Sequence, residues 1–123
     1  ELLEVISYSD DAGRFEFRLA DGAANPYAME AAVLTAGLDG IAQKRDPGER
    51  LDIDMYAEGH KVKDAKKLPL NLLDALRALE ASPVLRRGLG EPFISAYLKL
   101  KHADWNEYAG HLTEWERRNT LDC

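Results

Sequence analysis

The sequence has little of the chemistry that anchors a protein in a membrane, cross-links it or attracts nucleic acid. A single cysteine among 123 residues excludes an internal disulfide framework and favours a reducing, cytoplasmic setting. No apolar run approaches the roughly 18–20 residues that span a bilayer, so we expect no membrane partner. The formal net charge of −6 argues against nucleic acid as a partner. The first residues lack the basic-then-apolar pattern of a signal peptide, and we expect none.

Several catalytic signatures are also missing. There is no Gly-x-Gly-x-x-Gly pattern and no phosphate-binding loop motif, and no Ser/His/Asp arrangement is readable. The three histidines, His60, His102 and His111, lack metal-ligand spacing, which predicts structural or surface roles for them. Any chemistry of this chain must therefore come from other residue types.

A row of alternating charges stands near the start of the chain. Within "GRFEFRL", Arg14, Glu16 and Arg18 alternate with apolar residues, so a β-strand would place the three charges on one face. A carboxylate suits Mg²⁺ or Mn²⁺, and guanidinium groups clamp phosphates or carboxylates. The spacing leaves two interpretations open: a polar surface with cross-strand ion pairs, or one wall of a metal and phosphate site.

The pattern of elements predicts an α+β fold. Apolar residues, the turn "DDAG" and the alternating stretch indicate an N-terminal β-hairpin over about residues 2–19. A mostly helical cluster follows. We expect one partial domain over 1–123. Its hairpin part is 1–22, carrying the Arg-x-Glu-x-Arg strand, and its helical part is 25–123, with a long loop at about 44–68.

The first predicted helix is unusual because it is apolar almost all round. It begins at Asn25 and Pro26, a capping residue followed by a residue with a preset φ, and it runs through "PYAMEAAVLTAGLDGIAQ". Such a helix is normally buried. Gly37 and Gly40 each cost roughly 1 kcal/mol in a helix, which indicates close packing. A chain of this length cannot enclose the helix on every side, so we infer that something outside the sequence covers it.

Four further helices are predicted from capping residues and apolar spacing. Their start signals are Pro69 or Asn71, Ser82 with Pro83, Pro92, and Thr113 with Glu116. Gly88 or Gly90 should end the third helix. The longest helix should carry Ile94, Tyr97, Leu98, Trp105, Tyr108 and Leu112 along one side, with its aromatic residues in the core rather than on a stacking platform. Tyr56, in the long loop, is either a packing anchor or an exposed modification site.

The amino-acid sequence of residues 13–49 resembles that of the C-terminal part of the glutamine synthetase catalytic domain. That family carries an Arg-x-Glu-x-Arg strand, an acid-x-x-Ala-Asn-Pro-Tyr turn and a small-residue helix ending "AGLDGI", which stand here at 14–18, 21–27 and 36–41. The match continues through "DPGE" at 46–49. Residues 51–80 and 105–123 resemble the type III synthetases of rhizobia and the γ-glutamylmethylamide synthetases.

This resemblance implies roles for the charged row. Arg14 would contact ATP phosphate, Glu16 would ligate a divalent metal (Mg²⁺ or Mn²⁺), and Arg18 would bind glutamate and the phosphoryl group in transfer. The implied reaction forms γ-glutamyl phosphate from glutamate and ATP, and ammonia or methylamine then displaces phosphate. Spreading the developing phosphoryl charge over a metal and arginines is physically consistent with that chemistry.

Members of that family are several times longer than this chain and usually homo-oligomeric. Most of the catalytic sheet, the other metal ligands and the N-terminal domain of the family have no counterpart in these 123 residues. We therefore expect the chain to be inactive alone. The competing hypothesis is a non-catalytic module that self-associates or docks onto a complete synthetase.

Overall fold

The computed structural model describes residues 3–6, 14–17, 19–48, 52–62 and 67–120. The chain divides into two compact units, Glu1–Lys67 and Leu68–Cys123. The elements of the first unit are β1 (Leu3–Ile6), β2 (Arg14–Phe17), α1 (Pro26–Ala42), α2 (Met55–Glu58) and a 3₁₀ turn (Gly59–Lys61). The elements of the second unit are α3 (Leu72–Glu80), α4 (Pro83–Leu89), α5 (Glu91–Ala109) and α6 (Glu114–Thr120). That the chain forms one partial domain stays a prediction.

The prediction of an α+β fold, with an N-terminal β-hairpin followed by a mostly helical cluster, is wrong as a fold class. The described residues are mostly helical, and their only strands are β1 and β2, which pair antiparallel over four residues each. The turn predicted at "DDAG", residues 10–13, lies outside the described residues. So short a pair of strands offers no sheet layer to helices, and within the first unit α1 contacts neither described strand. The described fold is therefore mainly helical.

Helix α1 begins where the sequence predicts. Asn25 is its N-cap, because the Asn25 side-chain oxygen accepts a hydrogen bond from the Ala28 N–H at 3.1 Å. Pro26 occupies the first turn, where its missing N–H costs nothing. The cap and the proline therefore fix the start of the helix locally, without help from tertiary contacts.

The predicted loop at 44–68 contains a helical segment that the sequence analysis missed. Asp54 accepts hydrogen bonds at Oδ1 from the N–H groups of Tyr56, at 2.9 Å, and Ala57, at 3.4 Å. These bonds begin the single turn of α2, which continues into the 3₁₀ turn. Tyr56 is fully exposed, so it is not a packing anchor in this chain. Segments 49–51 and 63–66 lie outside the described residues.

In the second unit, side-chain caps begin helices α3 and α4. Asn71 accepts the Asp74 N–H at 2.9 Å, and Ser82 accepts the Leu85 N–H at 3.3 Å, each satisfying a donor that the helix leaves free. Gly90 ends α4 and at the same time begins α5, with φ of 85°. Of the two predicted terminators, Gly90 is therefore the correct one, and α5 starts at Glu91 rather than at Pro92.

The core of the second unit lies between α3 and α5. Leu76 comes from α3, while Ile94 and Leu98 come from successive turns of α5. Leu79, Leu89 and Tyr97 pack against these three side chains. Burying one such side chain contributes about 1.5–3 kcal/mol, so this small cluster is the main apolar stabilisation of the unit.

The prediction that the aromatic residues of α5 lie in the core is correct only near the beginning of the helix. Tyr97 packs on the core, and its ring stacks on Phe93 with ring centroids 6.0 Å apart. Trp105 is half-buried, whereas Tyr108, whose ring centroid is 5.7 Å from that of Trp105, is exposed. Leu112 lies beyond the end of the helix and is also exposed. The later turns of α5 therefore run past the core of this unit.

Candidate active-site strand and the helix after it

Two of the three candidate site residues lie in β2. Arg14 pairs with Ile6 of β1, and Glu16 pairs with Glu4. Alternate positions of a strand are about 6.5–7 Å apart, so the backbone holds positions 14 and 16 at the spacing that the charged row requires. Arg18 lies outside the described residues, as do the side chains of Arg14 and Glu16. The proposed contacts of all three therefore stay predictions.

The pairing of Glu4 with Glu16 adds a feature that the sequence analysis did not single out. It sets two acidic residues directly opposite each other in the antiparallel register. This register describes the backbone alone, and metal binding by Glu16 stays a prediction. No alternation within one strand could have revealed the pairing, because it depends on which residues of two strands face each other.

A tight turn connects the end of the charged row to α1. The Ala23 N–H donates to Asp21 Oδ1 at 2.8 Å, and the Ala24 N–H donates to the Asp21 carbonyl at 3.0 Å. This is the side-chain turn that aspartate forms with its own following backbone. The Asn25 cap follows this turn directly, so the turn leads the chain into α1. The motif "DGAANPY" thus has a local structural explanation.

The end of α1 is built as tightly as its beginning. The Lys44 N–H donates to the Ile41 carbonyl and the Arg45 N–H to the Gly40 carbonyl, both at 3.0 Å. These are the two bonds of a Schellman motif, which needs a left-handed residue after the cap. Lys44 occupies that position with φ of 50°, where glycine would be unstrained.

Side chains reinforce this helix end. The Asp39 carboxylate accepts bonds from the Gln43 amide, at 3.0 Å, and from the Arg45 guanidinium, at 2.6 Å. A turn follows in "DPG", where the Gly48 N–H donates to Asp46 Oδ1 at 2.9 Å and Gly48 has φ of 81°. This bond is the side-chain turn that aspartate forms with its own following backbone. Hydrogen bonds between residues that are close in sequence therefore hold both the end of α1 and the turn that follows it.

Between these two ends, α1 has no buried residue. Four large apolar side chains are the most exposed on it: Tyr27 at 83%, Leu34 at 59%, Leu38 at 66% and Ile41 at 76%. A Cβ atom built at Gly37 or at Gly40 would meet nothing within 4 Å. The close packing that the sequence predicts at these glycines is therefore not supplied by the described residues of this chain.

The three histidines lie in different elements. His60 lies in the 3₁₀ turn, His102 in α5 and His111 after α5. Among the residues within the described ranges, no three His, Cys, Asp or Glu side chains are grouped to hold a metal ion. In the same ranges, no helix is long and apolar enough to cross a membrane.

Comparison with known proteins settles the family. The family model described as "Glutamine synthetase, catalytic domain" matches residues 2–120. The chain belongs to the glutamine synthetase family. It is 62% identical over 110 residues to a glutamine synthetase of Rhizobium leguminosarum bv. phaseoli and 57% identical over 110 residues to one of Rhizobium meliloti. Each alignment covers 89% of this chain and 25% of the relative.

A relative with a different printed activity also matches. The glutamate–methylamine ligase of Methyloversatilis universalis is 42% identical over 113 residues, covering 89% of this chain and 25% of the relative. The resemblance to the glutamine synthetase catalytic domain, and to its rhizobial and methylamine-using branches, is thereby confirmed. The chain spans about a quarter of the length of these curated relatives. The glutamine synthetase family is a family of ligases that generally use ATP and divalent metals.

Proposed function

We propose that this chain supplies one wall of the active site of an ATP-dependent glutamate–amine ligase. The proposal is supported by the segment that begins at β2. In it, two members of the charged row stand at alternate strand positions, and the Asp21 turn and the Asn25 cap follow. Family membership supports the same assignment, because the matching region is the catalytic domain. The relatives named as synthetases and as a methylamine ligase support glutamate as the acid substrate.

Each residue of the row has a proposed role. Arg14 binds a phosphate of ATP, and Arg18 binds both the glutamate and the phosphoryl group in transfer, because a guanidinium pairs with either anion through two parallel hydrogen bonds. Glu16 holds Mg²⁺ or Mn²⁺ through hard carboxylate oxygens. When bound, the metal supplies charge neutralisation for the phosphates of ATP.

The reaction proceeds in two substitutions. A γ-carboxylate oxygen of glutamate attacks the terminal phosphorus of ATP, so that a P–O bond forms to glutamate and ADP leaves. The amine nitrogen then attacks the γ-carbonyl carbon, a C–N bond forms, phosphate leaves and the nitrogen loses a proton. Arg18 contributes by orienting the acid and by stabilising charge that develops on the phosphoryl oxygens.

The proposal extends to the setting of the reaction. Ammonia and methylamine are both candidate acceptors, since relatives of both kinds match this chain. We propose a homo-oligomeric enzyme in the cytoplasm for the complete protein and no ligase activity for this chain alone, because most of the relatives' length has no counterpart in it.

A chimera tests the catalytic role. The matching 110 residues of the R. leguminosarum relative are replaced by those of this chain, and ATP-dependent ligation of glutamate is measured. We expect activity in the chimera and a loss in kcat of about 10²–10³ on Glu16→Gln, the range for removing one electrostatic group. Glu80→Gln, on the exposed side of α3, is the matched control. A folded chimera with full activity after Glu16→Gln would contradict the role.

Calorimetry tests whether this chain binds nucleotide by itself. ATP with excess Mg²⁺, and then Mn²⁺, is titrated into this chain and into its Glu16→Ala variant. We expect no saturable heat in either protein, because a single wall gives too few contacts. Saturable binding by the chain that the variant loses would show a working half-site instead.

A second candidate function has its own observation. The exposed apolar residues of α1 favour a non-catalytic module that self-associates or docks onto a complete synthetase. Sedimentation of the chain separates the two: a monodisperse monomer argues against self-association, and a concentration-dependent dimer supports it.

A further inference from the structure

The turn between the charged row and α1 contains an aspartate followed by a glycine. The sequence has two such pairs, Asp21–Gly22 and Asp39–Gly40. An aspartate before a glycine is open to a spontaneous reaction, because no side chain hinders the approach of the glycine nitrogen to the carboxyl carbon. How readily a pair reacts depends on how its backbone and its carboxylate are held, and the structure holds the two pairs differently.

The first pair lies in an open turn. Asp21 and Gly22 are both exposed, and a Cβ atom built at Gly22 would meet nothing within 4 Å. The Asp21 carboxylate accepts the Ala23 N–H at 2.8 Å, which folds the carboxyl group back toward the backbone that follows it. The turn therefore keeps the carboxyl group near the nitrogen that would attack it and leaves both groups accessible to water.

The second pair is held inside a helix. Asp39 and Gly40 belong to α1, so helical geometry fixes the peptide between them. The Asp39 side chain is only 10% exposed, and its oxygens accept bonds from the Gln43 amide and the Arg45 guanidinium. Ring closure at this pair would break the helical backbone and these side-chain bonds together, so it requires local opening of the helix end.

A second aspartate turn separates the effect of the turn from that of the glycine. Asp46 accepts the Gly48 N–H at 2.9 Å, as Asp21 accepts the Ala23 N–H. The residue after Asp46 is a proline, whose nitrogen carries no hydrogen to lose and so cannot close a neutral ring. Among the aspartates in the described ranges, Asp21 is the one that combines such a turn with a following glycine.

We propose that Asp21 is a site of spontaneous isomerisation to isoaspartate. The Gly22 backbone nitrogen forms a bond to Cγ of the protonated Asp21 carboxyl group, and the nitrogen's proton and the carboxyl hydroxyl leave as water, which closes a succinimide ring. Water then opens the ring. Cleavage of the new Cγ–N bond restores aspartate, whereas cleavage of the original peptide C–N bond leaves isoaspartate. The water released equals the water consumed, so the mass of the chain is unchanged.

Isomerisation changes the path from the charged row into α1. The main chain then passes through Cβ and Cγ of Asp21, which adds one backbone carbon, and the former backbone carbonyl becomes the free carboxylate. The two oxygens that accept the N–H groups of Ala23 and Ala24 therefore exchange roles, and the turn before the Asn25 cap is rebuilt. The reaction needs no ligand and no ligase activity, so this inference goes beyond the proposed function and stands if that function fails.

Ageing of the chain tests the proposal. The protein is kept at neutral pH and physiological temperature in water enriched in heavy oxygen, so that each ring opening leaves a labelled oxygen in the product. Peptide mass mapping reads the label, and electron-transfer fragmentation distinguishes isoaspartate from aspartate at positions 21, 39 and 46. The same chain in guanidinium chloride gives the rate at each position without the folded structure.

The expected result is a difference between the two Asp–Gly pairs that depends on folding. In the folded chain, label enters Asp21 at least about tenfold faster than Asp39, because only Asp39 requires local opening, and no label enters Asp46. In guanidinium chloride the rates at Asp21 and Asp39 converge. Gly22→Ala slows the reaction at position 21 several-fold, because the added methyl group fits the open space but hinders the nitrogen. Gly40→Ala is the matched control and leaves the rate at position 21 unchanged.

Two outcomes would overturn the proposal. One is equal protection of Asp21 and Asp39 by folding, because the turn would then shield the carboxyl group as the helix does. The other is a rate at position 21 that Gly22→Ala leaves unchanged. If circular dichroism shows no helix in the chain alone, the same mapping is carried out on the R. leguminosarum chimera, where equal rates at positions 21 and 39 would again contradict the proposal.

Discussion

The two units of the chain differ in what they can do without a partner. All three buried apolar residues of the described chain, Leu76, Ile94 and Leu98, belong to the second unit. The first unit holds the candidate site positions and the most continuous apolar helix, yet none of its residues whose burial the structure describes is buried. The segment with the candidate chemistry is therefore the one without a described core, and the segment with its own core carries no assigned chemistry.

The difference follows from how each unit uses its apolar residues. In the second unit, leucine and isoleucine on α3 and α5 face each other and close a small core. In the first unit, α1 is held at its ends by hydrogen bonds, at Asn25 and at Lys44, rather than along its length by packing. Caps fix where a helix starts and stops, but tertiary burial supplies most helical stability in proteins.

Among the predicted effects, truncation of a core residue in the second unit should cause the largest loss of stability. Ile94 is completely buried, so Ile94→Ala should lower the free energy of unfolding of the second unit by about 2–5 kcal/mol through lost burial and a cavity. Leu38→Ala in α1 is the matched change on an exposed side chain and should cost well under 1 kcal/mol in the chain alone. Urea unfolding followed by circular dichroism measures both.

The comparison fails if the two variants lose similar stability. A large loss on Leu38→Ala would mean that this side chain of α1 is covered in the isolated chain, contrary to its exposure of 66%.

A smaller effect is expected at the end of α1. Lys44 sits at φ of 50°, a conformation that costs a residue with a Cβ atom about 1–2 kcal/mol. Lys44→Gly should therefore stabilise α1 by about 1 kcal/mol, seen as slower amide exchange at Ile41 and Ala42. Lys99→Gly, the same change inside α5, should destabilise by about 1 kcal/mol. Equal signs for the two variants would contradict the cap assignment.

The smallest effect is a local pH dependence at α6. The Thr113 hydroxyl and then the Thr113 N–H, each 2.7 Å from Glu116 Oε2, lower the pKa of the Glu116 carboxyl. A lowered pKa means that the cap stabilises α6 above the ordinary carboxyl pKa and that this stabilisation is lost as the pH falls through the lowered value. Thr113→Ala should move the pKa of Glu116 up, toward its ordinary value, in an NMR titration.

A matched threonine in the same helix controls this measurement. The Thr120 hydroxyl donates to the Glu116 carbonyl rather than to its carboxylate. Thr120→Ala should therefore leave the titration of the Glu116 carboxyl in place. An equal shift in both variants would mean that helix fraying, not the capping bond, changes the pKa.

Features decided by a few neighbouring residues were predictable from the sequence. The start of α1 at Asn25 and Pro26, the start of α4 at Ser82 and the capping box of α6 at Thr113 all follow from side chains that satisfy nearby backbone donors. The family was also readable, because the motif around the charged row is long and specific, and the family match confirms it.

Features that depend on other parts of the chain, or on very short elements, were not predictable. The α2 turn is four residues long, too short for a periodic pattern to reveal. The apolar spacing of α5 continued to Leu112, but the helix ends at Ala109, because spacing alone does not say where the core ends. The α+β prediction gave a strand pair the weight of a sheet layer, which requires tertiary contacts that no strand pattern contains.

The candidate site was predictable only as a row of positions. Alternation placed Arg14 and Glu16 in one strand, and the backbone agrees. The pairing of Glu4 with Glu16 became visible only in the antiparallel register of the two strands.

The single residue between α4 and α5 has a consequence for how the chain tolerates insertions and deletions. Gly90 is the whole connection between the two helices, and its φ of 85° turns the chain within one residue. One inserted residue there would rotate the face of α5 by about 100° and carry Ile94 and Leu98 away from α3. Length variation in this region is therefore expected after α5, in residues 110–113, and not at this junction, where one position sets the register of the entire core.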